Sequence, residues 1–214
     1  MAFLKEVLCT EPLVCVIKGF MSHSDCDELI EFVADDLRKS METHPGGTET
    51  VTTARTGSEK FIRDEKCGAN NRHRKALSKL LDAEIPWYYK FARRSLRLEN
   101  SLVINYKDGQ QYKPHFDQGE GLEYKRLATA ICYLNDVEEG GETVFPKLNI
   151  TVKPQKGDLL YFRYDYPDNN INGLTYHGGR PVKKGIEKWI HTTWLFKEKS
   201  NPREPVEGEG NPLA

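Results

Sequence analysis

The chain predicts an α+β fold with a mainly β core, a β-sandwich or jelly roll braced by helices near the N-terminus. Three features carry this expectation. Helical periodicity lies in the first half, where an apolar stripe recurs at Cys26, Leu29, Ile30, Val33 and Leu37. After Leu98 the chain changes to short strand-like runs separated by turn-forming segments such as KDGQ, EEGGE and PQKGD. One of those runs, LATAICYLN (127–135), is apolar at both parities, as expected of a strand covered on both faces. Helices first and closely spaced strands after them give the class.

Taken in order, EPLVCVIKGF (11–20) reads as an early strand closed by Gly19, and Ser24 is placed to cap the first helix. From Ser40 to about Gly57 the chain turns polar (SMETHPGGTETVTTARTG), either a mobile loop or a β-ribbon with a flexible tip. A second helix is expected from Asn71 to about Leu81. A third, PWYYKFARR, begins at Pro86, whose fixed φ and missing N–H suit a first helical turn. Strands follow over 101–106, 127–135, 143–146, 149–154, 158–164 and 188–196. Beyond Lys197 the tail KEKSNPREPVEGEGNPLA carries too little apolar surface to pack, so residues 198–214 are expected to be disordered beside a single domain over 11–197.

Composition narrows the function. With 38% hydrophobic and 29% charged residues and a formal charge of −1, the 214-residue chain fits one globular domain and gives no reason to expect a nucleic-acid partner. The short basic group RHRK (72–75) reads as a solvated helix face. The 5 cysteines are odd in number and form no C-x-x-C, which argues against a disulfide framework or a structural zinc site and fits a reducing compartment. Lys5, Glu6, Glu11 and Pro12 interrupt the N-terminal segment, so no secretory signal is expected, and no run reaches membrane-spanning length. A cytoplasmic protein of a bacterium, a virus or a eukaryotic cell is the simplest expectation, with no membrane partner.

The chemistry begins at YKPHFDQ (112–118). On a strand, residues i and i+2 share a face, so His115 and Asp117 offer a nitrogen and an oxygen to one point. A third ligand must come from a distant strand. His23 beside a helix cap, His44 in the polar segment and His73 in the basic helix read as exposed structural residues. His177, 60 residues past Asp117 in a glycine-flanked stretch, competes with His191. Along the last strand Lys188, Ile190, Thr192 and Trp194 share one face, and a cavity lined by Lys188 and Trp194 turns His191 away. His115, Asp117 and His177 then form a two-histidine, one-carboxylate set that leaves three adjacent positions open, the arrangement suited to non-haem Fe(II) and oxygen activation.

The segments NYKDGQQYKPHFDQ, RLATAICYLNDVEEGGETVFP, VKPQKGDLLYF and YHGGRPVKKGIEKWIHTTW follow in an order and spacing that resembles the prolyl 4-hydroxylase-like, 2-oxoglutarate- and Fe(II)-dependent dioxygenases. The likeness extends from PLVCVIKGF to Phe196. It implies a double-stranded β-helix (jelly roll, cupin-like) with helices supporting one sheet. It implies Fe(II) and 2-oxoglutarate as cofactors, with ascorbate as a reductant that rescues oxidised iron. Lys188 resembles the lysine that receives the far carboxylate of 2-oxoglutarate, with Lys183 and Lys184 as rivals in the preceding turn, and Tyr106 and Thr143 match positions that hydrogen-bond the same group. Tyr112, Arg126 and Trp194 match positions lining a peptide groove. ARTGSEKF (54–61) resembles the family's RTSxGxF with its glycine and serine shifted, and carries Arg55 and Ser58. The implied reaction hydroxylates C4 of proline in a peptide or protein, converting 2-oxoglutarate and O2 into succinate and CO2. The same chemistry on a free amino acid or another small molecule is the alternative. A zinc hydrolase is disfavoured because it has no evident use for a buried lysine, and an inactive binding module because every metal and cosubstrate position holds a competent residue.

Overall fold

The computed structural model describes residues 3–43, 49–63, 66–84, 96–117, 125–163 and 173–197. In chain order these form strands β1 (Lys5–Thr10) and β2 (Leu13–Ile17), helix α1 (His23–Val33), and short strands β3 (Arg38–Lys39), β4 (Met41–Thr43), β5 (Glu49–Val51) and β6 (Ser58–Ile62). Helix α2 (Gly68–Glu84) precedes β7 (Leu96–Leu98), β8 (Ser101–Lys107), β9 (Tyr112–His115), β10 (Lys125–Tyr133) and β11 (Thr143–Phe145). The remaining strands are β12 (Ile150–Val152), β13 (Leu159–Arg163), β14 (His177–Gly179) and β15 (Glu187–Lys197).

Among the described residues the strands make a nine-stranded sheet in the order β1-β2-β13-β10-β15-β8-β6-β3, with β7 also on β15, and a four-stranded sheet in the order β12-β11-β14-β9. All of these pairings are antiparallel. This is the double-stranded β-helix, and its large sheet is covered on both faces. Leu102, Ile104 and Tyr106 of β8, Ile131 and Tyr133 of β10, and Ile190 and Trp194 of β15 belong to the apolar cluster that includes Phe145 and Val152 of the small sheet. Residues of the other parity, Val103, Ala128, Ala130, Cys132 and Leu195, pack with Leu29 and Val33 of α1 and Leu77 of α2. The two-sided burial foreseen for 127–135 is therefore literal: one side meets the helices, the other the second sheet.

Several elements depart from the sequence-based expectation. Ser22 rather than Ser24 caps α1, its Oγ accepting from Asp25 N at 3.1 Å. Helix α2 starts at Gly68, before Asn71, because Glu28 of α1 accepts from Ala69 N at 2.8 Å and so supplies a tertiary cap. β1 was not anticipated; it is a half-exposed edge strand whose charges, Lys5 and Glu6, conceal it. His73 is buried rather than exposed, edge-on to His191 with ring centroids 4.4 Å apart. Burial lowers its pKa to about 3, so the ring is neutral, and it faces the sheet while its neighbours Arg72 and Lys75 do not share its burial. The polar segment after Ser40 is a ribbon, β4 pairing β5 with Met41 opposite Val51. His44, the helix expected from Pro86, Gln118, Tyr164 and the tail 198–214 lie outside the described residues. Among the described residues, no helix is long and apolar enough to cross a membrane.

Candidate active site

The small sheet brings the two histidines together. β14 runs antiparallel to β9 with His177 directly opposite His115. Gly178 makes this approach possible: a Cβ there would stand 2.8 Å from Tyr112 O and 2.9 Å from Pro114 N, both backbone atoms. Gly178→Ala is therefore expected to force the strands apart and to cost about 1–3 kcal/mol, as overpacking does. Thermal unfolding of the purified variant checks this; an unchanged midpoint would mean that β9 yields freely.

β9 ends at His115, so Asp117 lies just past the strand rather than on it. It still reaches the same point. His115 Nε2 is 3.3 Å from Asp117 Oδ1 and His177 Nε2 is 3.6 Å from Asp117 Oδ2. The three ligand atoms lie within 4.8 Å of one another. Each imidazole is turned the same way: Nδ1 of His115 lies 2.9 Å from Lys113 O and Nδ1 of His177 lies 3.0 Å from Thr175 O. A carbonyl can only accept, so the proton sits on Nδ1 and both Nε2 lone pairs face the cluster. Burial lowers the pKa of His177 to about 4, leaving the ring neutral. Burial alone would raise the Asp117 carboxyl, but His177, His115 and the Thr129 hydroxyl outweigh it and hold the group well below the usual carboxylate range. Two neutral nitrogens and one carboxylate with accessible space beyond them fit a first-row divalent ion.

The cavity around this cluster runs between the two sheets, with Ile104, Ile131 and Ile190 as apolar wall. Its other end fits a dicarboxylate. Lys188, opposite Tyr106 in the β15–β8 register, is 4% exposed and donates to Gly141 O at 2.6 Å. Burial lowers its pKa to about 8, against the opposing pull of Glu142. Tyr106 Oη is buried without a hydrogen-bond partner, a group that calls for an acceptor. Tyr133 donates to Thr143 Oγ1 at 2.9 Å, leaving the Thr143 proton to be given to a ligand. The rivals of Lys188 face solvent, and Lys183 is ion-paired with Glu139. His191, as parity requires, points to the helix side, where its Nε2 lies 2.9 Å from Asn70 Oδ1.

Comparison with known proteins settles the family. Residues 101–196 match the model of the 2OG-Fe(II) oxygenase superfamily. The chain is 32% identical over 215 residues to "Probable prolyl 4-hydroxylase 3" of Arabidopsis thaliana, covering 89% of this chain and 71% of that protein. The chain belongs to the prolyl 4-hydroxylase family of 2-oxoglutarate- and Fe(II)-dependent oxygenases. "Probable prolyl 4-hydroxylase 7" of the same plant is also 32% identical, across 86% of this chain, which spans 62% of that relative's length. The viral collagen prolyl hydroxylase of Paramecium Bursaria Chlorella virus-1, solved as its 2-oxoglutarate complex, superposes with a TM-score of 0.71 at 28% identity, covering 89% of this chain and 99% of that one. Fe(II) and 2-oxoglutarate are thus the cofactors of this oxygenase.

The substrate-side residues are drawn together unequally. Tyr112, Trp194 and Arg55 line the cavity. Tyr112 stacks on His115 with centroids 3.6 Å apart, and Trp194 Nε1 is buried without a partner. Arg126 is absent from the cavity lining: it pairs with Glu99 through Nε (2.5 Å) and Nη2 (2.7 Å), lies 4.1 Å over the Trp194 ring, and donates to Asp117 O at 3.0 Å. Ser58 is held in β6 between Lys39 and Asn105 and does not line the cavity. Thr129, Tyr133 and Glu99 escaped the sequence reading. A signal for the first existed: Thr129 is a hydroxyl inside an apolar run, at the parity of Ile131 and Tyr133.

Proposed function

We propose that this oxygenase hydroxylates C4 of proline residues in a peptide or protein, with residues 11–197 as the oxygenase domain and β1 added at its sheet edge. One observation carries the reading: a single cavity holds a His-Asp-His cluster with one carboxylate at one end and the buried ammonium of Lys188 at the other, the spacing of functions that iron and a keto-diacid require. His115, Asp117 and His177 hold the iron, and Lys188, Tyr106 and Thr143 receive the far carboxylate of 2-oxoglutarate. When bound, Fe(II) supplies oxygen activation coupled to conversion of 2-oxoglutarate and O2 into succinate and CO2. The chain's own residues orient and exclude water. The carbonyls of Lys113 and Thr175 fix the imidazole tautomers, Thr129 anchors one carboxylate oxygen of Asp117, and Arg126 holds the Asp117 carbonyl from behind. Tyr112 and Trp194 offer flat walls to a proline ring.

Incubation with Fe(II), 2-oxoglutarate and a library of proline-containing peptides tests the reading. Succinate release with one oxygen gained on a proline supports it; turnover confined to a free amino acid, or zinc-dependent cleavage without cosubstrate consumption, overturns it. Thr129→Val removes the donor to Asp117 while keeping its shape. Loss of such an outer partner is expected to weaken iron binding by about 10- to 100-fold, measured by Fe(II) titration under anaerobic conditions.

A further inference from the structure

Glu59 is a buried carboxylate that the reaction outlined above leaves without a task. It is 2% exposed, yet it is paired to Arg55, which lines the cavity: its Oε2 is 2.8 Å from Arg55 Nη2 and accepts from Ser40 Oγ at 2.8 Å. In the segment that resembles RTSxGxF, Glu59 occupies the glycine position and Gly57 the serine position, so this carboxylate belongs to this chain rather than to the pattern it follows. Gly57 leaves room for the arrangement, since a Cβ there would meet the Tyr106 ring at 2.9 Å and Asn105 O at 2.8 Å.

The guanidinium that Glu59 grips is aimed at the site. Residues 54–56 pair with the start of β9, through Lys113 N to Ala54 O (2.8 Å) and Thr56 N to Gln111 O (3.0 Å), and Arg55 bridges Tyr112. Arg55 Cζ stands 5.4 Å from the centre of the Tyr112 ring, which itself stacks on His115. Arg55 thus reaches the metal cluster through one aromatic ring, and its Nε is buried without a partner. A buried donor of this kind requires an acceptor from the ligand. Which acceptor it favours depends on charge. Alone, an arginine selects a carboxylate; paired to a buried glutamate it still offers N–H groups, but the pair has no net charge to reward an anion.

We infer that Glu59 is a specificity-determining positioning residue, which fixes Arg55 as a charge-neutralised donor so that the groove accepts an uncharged backbone carbonyl of the substrate peptide and discriminates against an acidic side chain beside the target proline. Ser40, whose backbone also bonds Gly57 O and Thr52 N at 3.0 and 3.3 Å, ties the same carboxylate to the base of the β4–β5 ribbon. The inference rests on the peptidyl-proline reading and sharpens it to a substrate class.

The test compares two proline peptides that differ only by glutamine or glutamate next to the target proline, assayed with wild type and Glu59→Gln loaded with Fe(II) and 2-oxoglutarate. Wild type is expected to prefer the glutamine peptide. Glu59→Gln is expected to shift the ratio of kcat/KM toward the glutamate peptide by about tenfold, mainly through KM, because an unneutralised arginine makes charge-assisted bonds roughly twice as strong. A merely structural role would lower both peptides alike. Ser40→Ala, which leaves the charge pair intact, serves as the companion and is expected to leave the ratio unchanged; should Glu59→Gln not fold, Arg55→Gln, which leaves the Glu59 carboxylate without its cation, must shift the ratio the other way, further toward the glutamine peptide. An unaltered ratio in Glu59→Gln, or a shift toward the glutamate peptide in Arg55→Gln, overturns the inference while leaving the proline reading intact. Failure of wild type to hydroxylate either peptide while binding 2-oxoglutarate overturns both.

Discussion

Asp117→Ala is expected to lower turnover by at least ~1000-fold and to abolish stabilisation of the protein by iron. The carboxylate is the one acidic group among the three proposed ligands, so its removal leaves two imidazoles to hold a dication. Losing a metal's contribution to charge stabilisation costs several kcal/mol, and each 1.36 kcal/mol is about tenfold in rate. The change also has a stability signature that separates it from misfolding. A ligand that binds only the folded state stabilises it in proportion to the logarithm of its concentration over Kd. Wild type should therefore melt at higher temperature as Mn(II), used as an air-stable stand-in, is added, and Asp117→Ala should show no such rise. Without metal the variant should melt somewhat below wild type, because the partners that hold the Asp117 carboxyl below the usual range outweigh its burial and so make the charged group a net stabiliser of the fold. The absence of any metal-dependent rise, not the metal-free melting point, is therefore the deciding reading. A metal-dependent rise that survives in Asp117→Ala would remove this residue from the ligand set.

What could be read beforehand follows from which interactions are periodic. Strand parity is a property of the chain itself, so Lys188, Ile190, Thr192 and Trp194 could be placed on one face and His191 on the other before any fold was known, and the structure keeps them there. The H-x-D pair was legible for the same reason, although Asp117 falls just beyond β9. Interactions set by distant partners were not legible. Nothing near Gly68 announces that Glu28 will cap α2, and nothing near His73 shows that its ring will turn inward against His191. Arg126 illustrates the limit within the site. The resemblance placed it on a peptide groove, and the structure adds partners that the motif does not show: Glu99, the ring of Trp194 and the Asp117 carbonyl. A residue's type and position in a motif were visible; the acceptors that claim its donors were supplied by other chain segments, 9 and 27 residues away.

Lys188→Ala is expected to weaken 2-oxoglutarate binding by roughly 30-fold to several thousandfold, since truncating one partner of a buried, hydrogen-bonded charge pair costs about 2–5 kcal/mol. Titration of the cosubstrate into the Mn(II)-loaded protein measures it, with Lys183→Ala as the solvent-facing control that should change little. The pH dependence gives a sharper test. Burial among Tyr106, Tyr133 and the Gly141 carbonyl lowers the Lys188 pKa to about 8, with Glu142 pulling the other way. Its folded value thus lies below its unfolded one. Between about pH 8 and the ordinary lysine value near 10.4 the unfolded chain keeps a proton that the folded one has shed, so this group makes the cosubstrate-free protein relatively more stable as pH rises through that window. Cosubstrate binding must run the opposite way, because only the ammonium form pairs with the carboxylate. Affinity should be flat below about pH 7 and fall by roughly tenfold per unit well above pH 8. At pH 9, binding should draw in most of one proton, detectable as a calorimetric enthalpy that changes with the ionisation heat of the buffer. Affinity that stays level from pH 7 to about 9.5, with no proton uptake, would mean that the carboxylate of 2-oxoglutarate is met by some other group and that Lys188 is buried for packing alone.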